Sequence, residues 1–315
     1  MKRTIISIII LAVVGLGVWY VIHNREAVEP TDNTTGQVVD NDQPDIADEQ
    51  KPSPSTQYVK PEQIPAGWGL FHEESQMTRL NRVTEVMNTR KPMDPELYAF
   101  FKAELFNPDH WAVTRNNMAN ALVRARDANG NHPDPDLHEV FIAMLEDESQ
   151  DTVWRDYCLQ FLSENLPNSS EPDRVKDVIT KFSKGTDSIA GTAMVHMALH
   201  GQKGNMELDD DFNKQLAEQL ENPEIHRDTR LAILGVIGKR KDIDRLPLIR
   251  KYARQDDDAS LKRIAIAVLG AFGADPETAA SITDEDKAII QTALRHQNRA
   301  VQMAGQTAWA RINND

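Results

Sequence analysis

The chain is poor in the residues that most often carry chemistry. Its 315 residues hold one cysteine, Cys158, which excludes an intramolecular disulfide. Cys158 falls at a small-residue position of a helical pattern, so it reads as buried filler rather than a reactive thiol. Aromatic residues make up only 6% of the chain. Leu, Ile, Val, Ala and Met supply the apolar content instead, as suits helices packed on helices. Positive charge is also short: 35 Lys and Arg stand against 49 Asp and Glu, a net −14. That balance disfavours non-specific binding to nucleic acid. There is no Gly-x-Ser-x-Gly, no Gly-rich phosphate loop, no Cys/His dyad and no pair of carboxylates in a pocket-forming context. The expectation is a protein that is not an enzyme and uses no cofactor.

One long apolar run is present. Thr4 to Ile22 is 19 residues without a charge, and at about 1.5 Å per residue it matches the hydrocarbon thickness of a bilayer. Lys2 and Arg3 precede it, while Glu26, Glu29 and Asp32 follow. The positive-inside bias then places the N-terminus in the cytoplasm and the rest outside. No small-x-small cleavage site ends the run, so an uncleaved signal anchor is expected. Residues 25–66 carry nine acids against three bases and few apolar side chains, which predicts a disordered linker. The expected division is 1–24 anchor, 25–66 acidic linker and 67–315 folded domain, the last on the periplasmic or other extracytoplasmic side.

Within that domain six segments share one helical frame at a spacing of about 32–40 residues, the mark of a stacked repeat. The frame reads Thr114-Arg115…Met118…Ala121-Leu122, then Trp154-Arg155…Cys158…Phe161-Leu162. It continues as Gly191-Thr192…Val195…Ala198-Leu199 and Thr229-Arg230…Ile233…Val236-Ile237-Gly238. The last two are Leu261-Lys262…Ala265…Val268-Leu269-Gly270 and Val301-Gln302…Gly305…Ala308-Trp309. Five partner stripes lie between them, such as Leu137, Val140, Phe141, Met144 and Leu145 at helical spacing. Two more helices are expected first, near 73–89 and 95–106, the second capped by Asp94 and opened by Pro95. The fold class is therefore all-α: a right-handed α-solenoid of stacked antiparallel helix pairs, behind one transmembrane helix and a disordered linker.

The stretch Thr229 to Gly238 followed by Asp244 to Arg250, and the copy Leu261 to Gly270, resemble HEAT repeats. The basic residue in the first helix, the short loop and a helix-ending glycine carry the likeness. The resemblance covers roughly 110–315 and is strongest at 225–273. It implies a scaffold or adaptor with an extended binding surface. The alternative is a HEAT-like solenoid enzyme of lyase or nucleic-acid-processing type.

Few residues stand out chemically. His196 and His200 are spaced i, i+4 as in some metal sites, but no Glu lies between and no third ligand is near; His200 takes the place of Gly238 and Gly270. The loop Asp127–Asp136 offers oxygens but puts His132 and His138 where calcium loops want Gly and Glu. The runs Asp209–Asp211 and Asp256–Asp258 precede helices, where capping accounts for them. No metal ligand set is assigned. Residues 226–263 hold eleven bases against six acids. Lys239, Arg240, Lys241 and Arg245 are the candidate contact for an acidic protein partner, since three consecutive bases in a loop are not expected to serve packing.

Overall fold

The computed structural model describes residues 58–313 apart from 60, 62, 90–92, 129–134, 209 and 256. Thr4–Ile22 and most of the 25–66 stretch lie outside the described residues, and among those described no helix is long and apolar enough to cross a membrane. The described chain is all-helical. A 3-10 turn at Phe71–Glu73 precedes α1 (Gln76–Asn88), α2 (Pro95–Glu104), α3 (Ala112–Ala128) and α4 (Pro135–Glu146). There follow α5 (Thr152–Asn165), α6 (Pro172–Ser183), α7 (Ser188–Gln202), α8 (Asp210–Glu221) and α9 (Arg227–Arg240). The array continues through α10 (Leu246–Arg254), α11 (Ala259–Gly273), α12 (Asp284–Ala293) and α13 (Arg299–Asn313). The six expected frames are the odd helices from α3 to α13, and the five partner stripes are the even helices from α4 to α12.

Starts are set by side chains. Asp94, Asp151, Asp187 and Asp258 cap α2, α5, α7 and α11, and Thr283 with Asp286 forms a capping box on α12. Each satisfies backbone N–H groups that the helix leaves without a partner.

The helices form two layers. Odd helices stack directly on one another and form the tighter layer; each even helix packs chiefly on the odd helix that follows it. The natural pair is thus even-then-odd, α10 with α11, rather than the expected α9 with α10. A second difference concerns glycine. Gly238 and Gly270 do not end their helices, which run on to Arg240 and Gly273. A Cβ on Gly238 would meet Val268 Cγ2 at 2.7 Å, and one on Gly270 would meet Ala308 Cβ at 2.5 Å. These glycines let successive odd helices approach, a packing role and not a terminal one. His200, in the same frame position, is likewise no helix end, because α7 reaches Gln202.

Even helices touch one another little, and long polar side chains span the wider gap. Arg174 on α6 pairs with Glu139 on α4, and Gln215 and Gln219 on α8 donate to the Ser183 carbonyl on α6 at 2.8 and 2.9 Å. Tyr252 on α10 donates to Leu220 O on α8 at 2.7 Å, and Arg250 grips Asp286 on α12 through two bonds of 2.8 Å. The side of the odd layer turned away from the even helices is called the inner face.

Candidate interaction face

The inner face is built from residues that are only partly buried, of which Tyr157 and Leu231 also pack against the core. On α3, α5, α7 and α9 one stripe at a spacing of three to four residues stays partly exposed: Asn117 and Asn120, Tyr157 and Gln160, His196 and Leu199, Leu231 and Gly235. It is rich in amides at α3 and α5 and turns apolar and small by α9. Asn117 donates to Thr84 Oγ1 on α1 at 3.0 Å, and Gln160 to Asp156 on its own helix at 2.9 Å. The amides are held locally and keep hydrogen-bonding capacity toward solvent.

The signature basic residue explains itself here. Arg155 Nε donates to Leu145 O at 2.8 Å, at the end of α4. Arg230 Nη2 donates to Asn222 O and Pro223 O at 2.9 Å each, just past α8. Gln302, without charge, donates to Leu294 O at 3.1 Å, just past α12. All three satisfy carbonyls at the C-terminal end of the preceding even helix, where a donor, and above all a cation, is favoured. α7 carries Thr192 at that position, and Gln215 and Gln219 take over the carbonyls of α6.

The four candidate contact residues separate. Lys239 is exposed, whereas Arg240 donates to Asn213 Oδ1 at 3.1 Å and lies over Phe212. Lys241 adopts a left-handed backbone, φ 56°, and donates to Ala271 O at 2.6 Å beside Asp275 and Phe272. Arg245 stands 3.9 Å from Asp242. The expectation that this run is not needed for packing fails for Arg240 and Lys241, which tie α9 back to α8 and forward to α11. Other bases of the segment are also engaged: Arg227 with Asp258, Arg250 with Asp286 and Arg254 with Glu285.

Two polar clusters escaped the sequence. In the first, Ser163 Oγ on α5 lies 2.7 Å from His196 Nδ1 and 2.8 Å from His200 Nε2 on α7. The i, i+4 histidine spacing was visible; the serine, over 30 residues away, was not. His200 Nε2 also faces Ser163 O at 3.0 Å, and a carbonyl only accepts, so that nitrogen carries the proton. His200 Nδ1 then accepts from Asn205 at 3.2 Å, and Ser163 Oγ–H donates to His196 Nδ1. Burial, then the charges of His200, Lys203 and Lys239, pull the His196 pKa down to about 4. A hydroxyl donating to an imidazole has the outline of a nucleophile and its base, but Ser163 is fully buried.

In the second, buried Glu104 accepts from Tyr58 at 2.7 Å, His72 at 3.0 Å, Asn107 at 3.0 Å and His110 at 2.7 Å. Burial opposes its ionisation, but these four bonds outweigh it and hold its pKa at about 2. Burial and the Glu104 carboxylate together push the Tyr58 hydroxyl up. The network fastens Tyr58, which falls inside the 25–66 stretch, onto the first helices. Among the described residues no group of three or more His, Cys, Asp or Glu could hold a metal ion. The centre of the Asp127–Asp136 loop, and Asp209 and Asp256, lie outside the described residues; Asp258 caps α11, as expected.

No protein-family model matches this chain, and no curated protein matches it in sequence. Among solved structures it is similar to a designed armadillo repeat protein, 14% identical, over 74% of this chain and 100% of that one, with a TM-score of 0.42. It is also similar to an engineered protein, 13% identical, over 78% of this chain and 96% of that one, with a TM-score of 0.28. Both likenesses are too slight to carry a function across. The class defined by the chain's own helices is an all-α repeat solenoid.

Proposed function

We propose that this protein is a membrane-anchored scaffold of HEAT type, a right-handed solenoid that binds another protein along the inner face of its odd helices. The observation that supports it most is the partly exposed stripe repeated on helix after helix. These residues stay partly exposed and offer amides on α3 and α5 and apolar groups from α5 to α9. Ser163 and His200 are buried, which favours binding over catalysis. The anchor rests on the charge-free run Thr4–Ile22, and the extracytoplasmic side on Lys2 and Arg3 against the acidic flank. The segments 1–24, 25–66 and 67–315 are proposed as anchor, linker and scaffold.

Crosslinked capture of partners from intact membranes tests the scaffold: recovery of a defined protein by wild type, lost when Asn120 and Gln160 are both changed to Glu, is the expected result. Equal recovery by both proteins contradicts it. Intact mass of the membrane-bound chain tests the anchor, and a mature chain beginning between residues 20 and 35 contradicts it. A reporter fused after Asp315 that is active only in the cytoplasm contradicts the topology.

A further inference from the structure

Single exposed apolar side chains are ordinary on a protein surface, but a gathering of them is not. Seven large ones are exposed among the described residues, and five of these, Val59, Leu70, Met77, Trp111 and Val113, belong to the segments around α1 and the start of α3. Leu70 is 64% exposed, Met77 55% and Trp111 46%. Hydrogen bonds draw the five together. Glu104 accepts from Tyr58, beside Val59, at 2.7 Å. It also meets His72, two residues past Leu70, at 3.0 Å, and His110, beside Trp111, at 2.7 Å. The Trp111 N–H donates to Gln76 Oε1 at 3.4 Å, and Gln76 Nε2 donates to Asp109 O; Met77 follows Gln76 on α1. Val113 lies two residues past Trp111. Each of the five is thus within two residues of a member of one bonded set, and none belongs to the hydrophobic core.

We propose that these five side chains form a lipid-facing patch whose occupant is the interface of a zwitterionic phospholipid bilayer. This rests on the membrane anchoring proposed above and adds which surface of the folded domain meets the lipid. The described chain begins at Tyr58, within the patch. Between Ile22 and Tyr58 run about 35 residues, and a flexible chain of that length spans on the order of 30 Å. An anchor at Thr4–Ile22 therefore holds this end of the array close to the bilayer, where tethering raises the effective concentration and a weak patch suffices. Trp111 suits the place, since an indole joins an apolar body to a polar N–H and favours the headgroup level.

Charge selects the lipid. Arg82 pairs with Glu74 and lies 4.2 Å from the Trp68 ring centroid, and Arg79 Nε donates to Glu74 O at 3.0 Å. These cations are engaged within the protein, while the acids Glu73 and Asp109 are exposed. An anionic surface would repel those acids, and a zwitterionic one does not. The contact is apolar, so salt leaves it in place.

The test reconstitutes the full chain in phosphatidylcholine vesicles and in vesicles of dibrominated phosphatidylcholine, whose bromines quench an indole on contact. The change Trp19→Phe removes the indole of the anchor, and the difference between this chain and Trp19→Phe/Trp111→Phe isolates the emission of Trp111. The expected result is that Trp111 emission is largely lost in the brominated vesicles, at low and high salt alike, and regained in Leu70→Glu/Met77→Glu with circular dichroism unchanged. Equal Trp111 emission in both kinds of vesicle overturns the patch, as does quenching that survives the double Glu change. Emission that changes with protein concentration and not with bromination assigns the surface to a second copy and also overturns it. An alkaline carbonate wash separates the two proposals. A chain retained by the vesicles with Trp111 unquenched removes the patch and leaves the anchor. A chain quenched before the wash and released by it removes the anchor and supports the patch.

Discussion

At the scale of single residues, the account turns on which polar groups are spent and which are free. Glu104 and His196 make this measurable by pH. The folded Glu104 pKa of about 2 lies below its ordinary 4.5, so its stabilising contribution is present above pH 4.5 and is lost as pH falls toward 2. His196, at about 4 against an ordinary 6.5, takes up its proton more readily when unfolded, so stability falls as pH drops from 6.5 toward 4. Denaturant unfolding followed from pH 7 to 2 should show both windows, and Glu104→Gln should flatten the lower one while weakening the protein at neutral pH. A pH profile unchanged by Glu104→Gln contradicts the network. Crowding is as specific as charge. Gly270→Ala puts a methyl against Ala308 and should cost about 1–3 kcal/mol. Ala265→Asp strands a carboxylate in a fully buried position and should cost several times more than a typical surface change, on the order of 4 kcal/mol. Chemical denaturation of either variant at wild-type midpoint would show that the odd layer is looser than described.

At the scale of elements, two kinds of joint alternate. Odd helices meet through small residues, and even helices are bridged by long ones. Arg250 and Asp286 show the second kind: burial opposes ionisation of Asp286, but bonds from Arg250 and Thr283 outweigh it and lower its pKa. Removing the guanidinium leaves a buried carboxylate with only its capping bonds, so Arg250→Ala should cost about 3 kcal/mol. Thermal melting checks this, and a shift within error of wild type would contradict a structural role for the pair. Much of this layer was legible in the sequence. The six frames, the partner stripes and the caps at Asp94 and Asp258 follow from local period and local chemistry. The pairing order was not, because a helix in the middle of an array has apolar faces toward both neighbours. The role of Gly238 was misread for a related reason: a glycine near a helix end looks like a stop until the neighbouring Val268 is in place. The Ser163–His196 and Tyr58–Glu104 links join positions too far apart for any spacing rule to connect.

At the scale of the whole molecule, stability is a chain of neighbour contacts, and each helix pair is closed by the next. Apolar stacking and side-chain caps complete the described array, so its melting temperature should not change when a chelator is added; a fall would show a metal contribution. The central claim is that partners dock on the inner face of the odd helices. Photo-crosslinking in intact membranes addresses it most directly, with a crosslinking residue placed in turn at 120, 160 and 199 on that face and at 184 and 214 on the even layer. The account predicts one common partner captured from 120, 160 and 199, and little or none from 184 and 214. Capture from 184 and 214 alone, or equally from both layers, would contradict it.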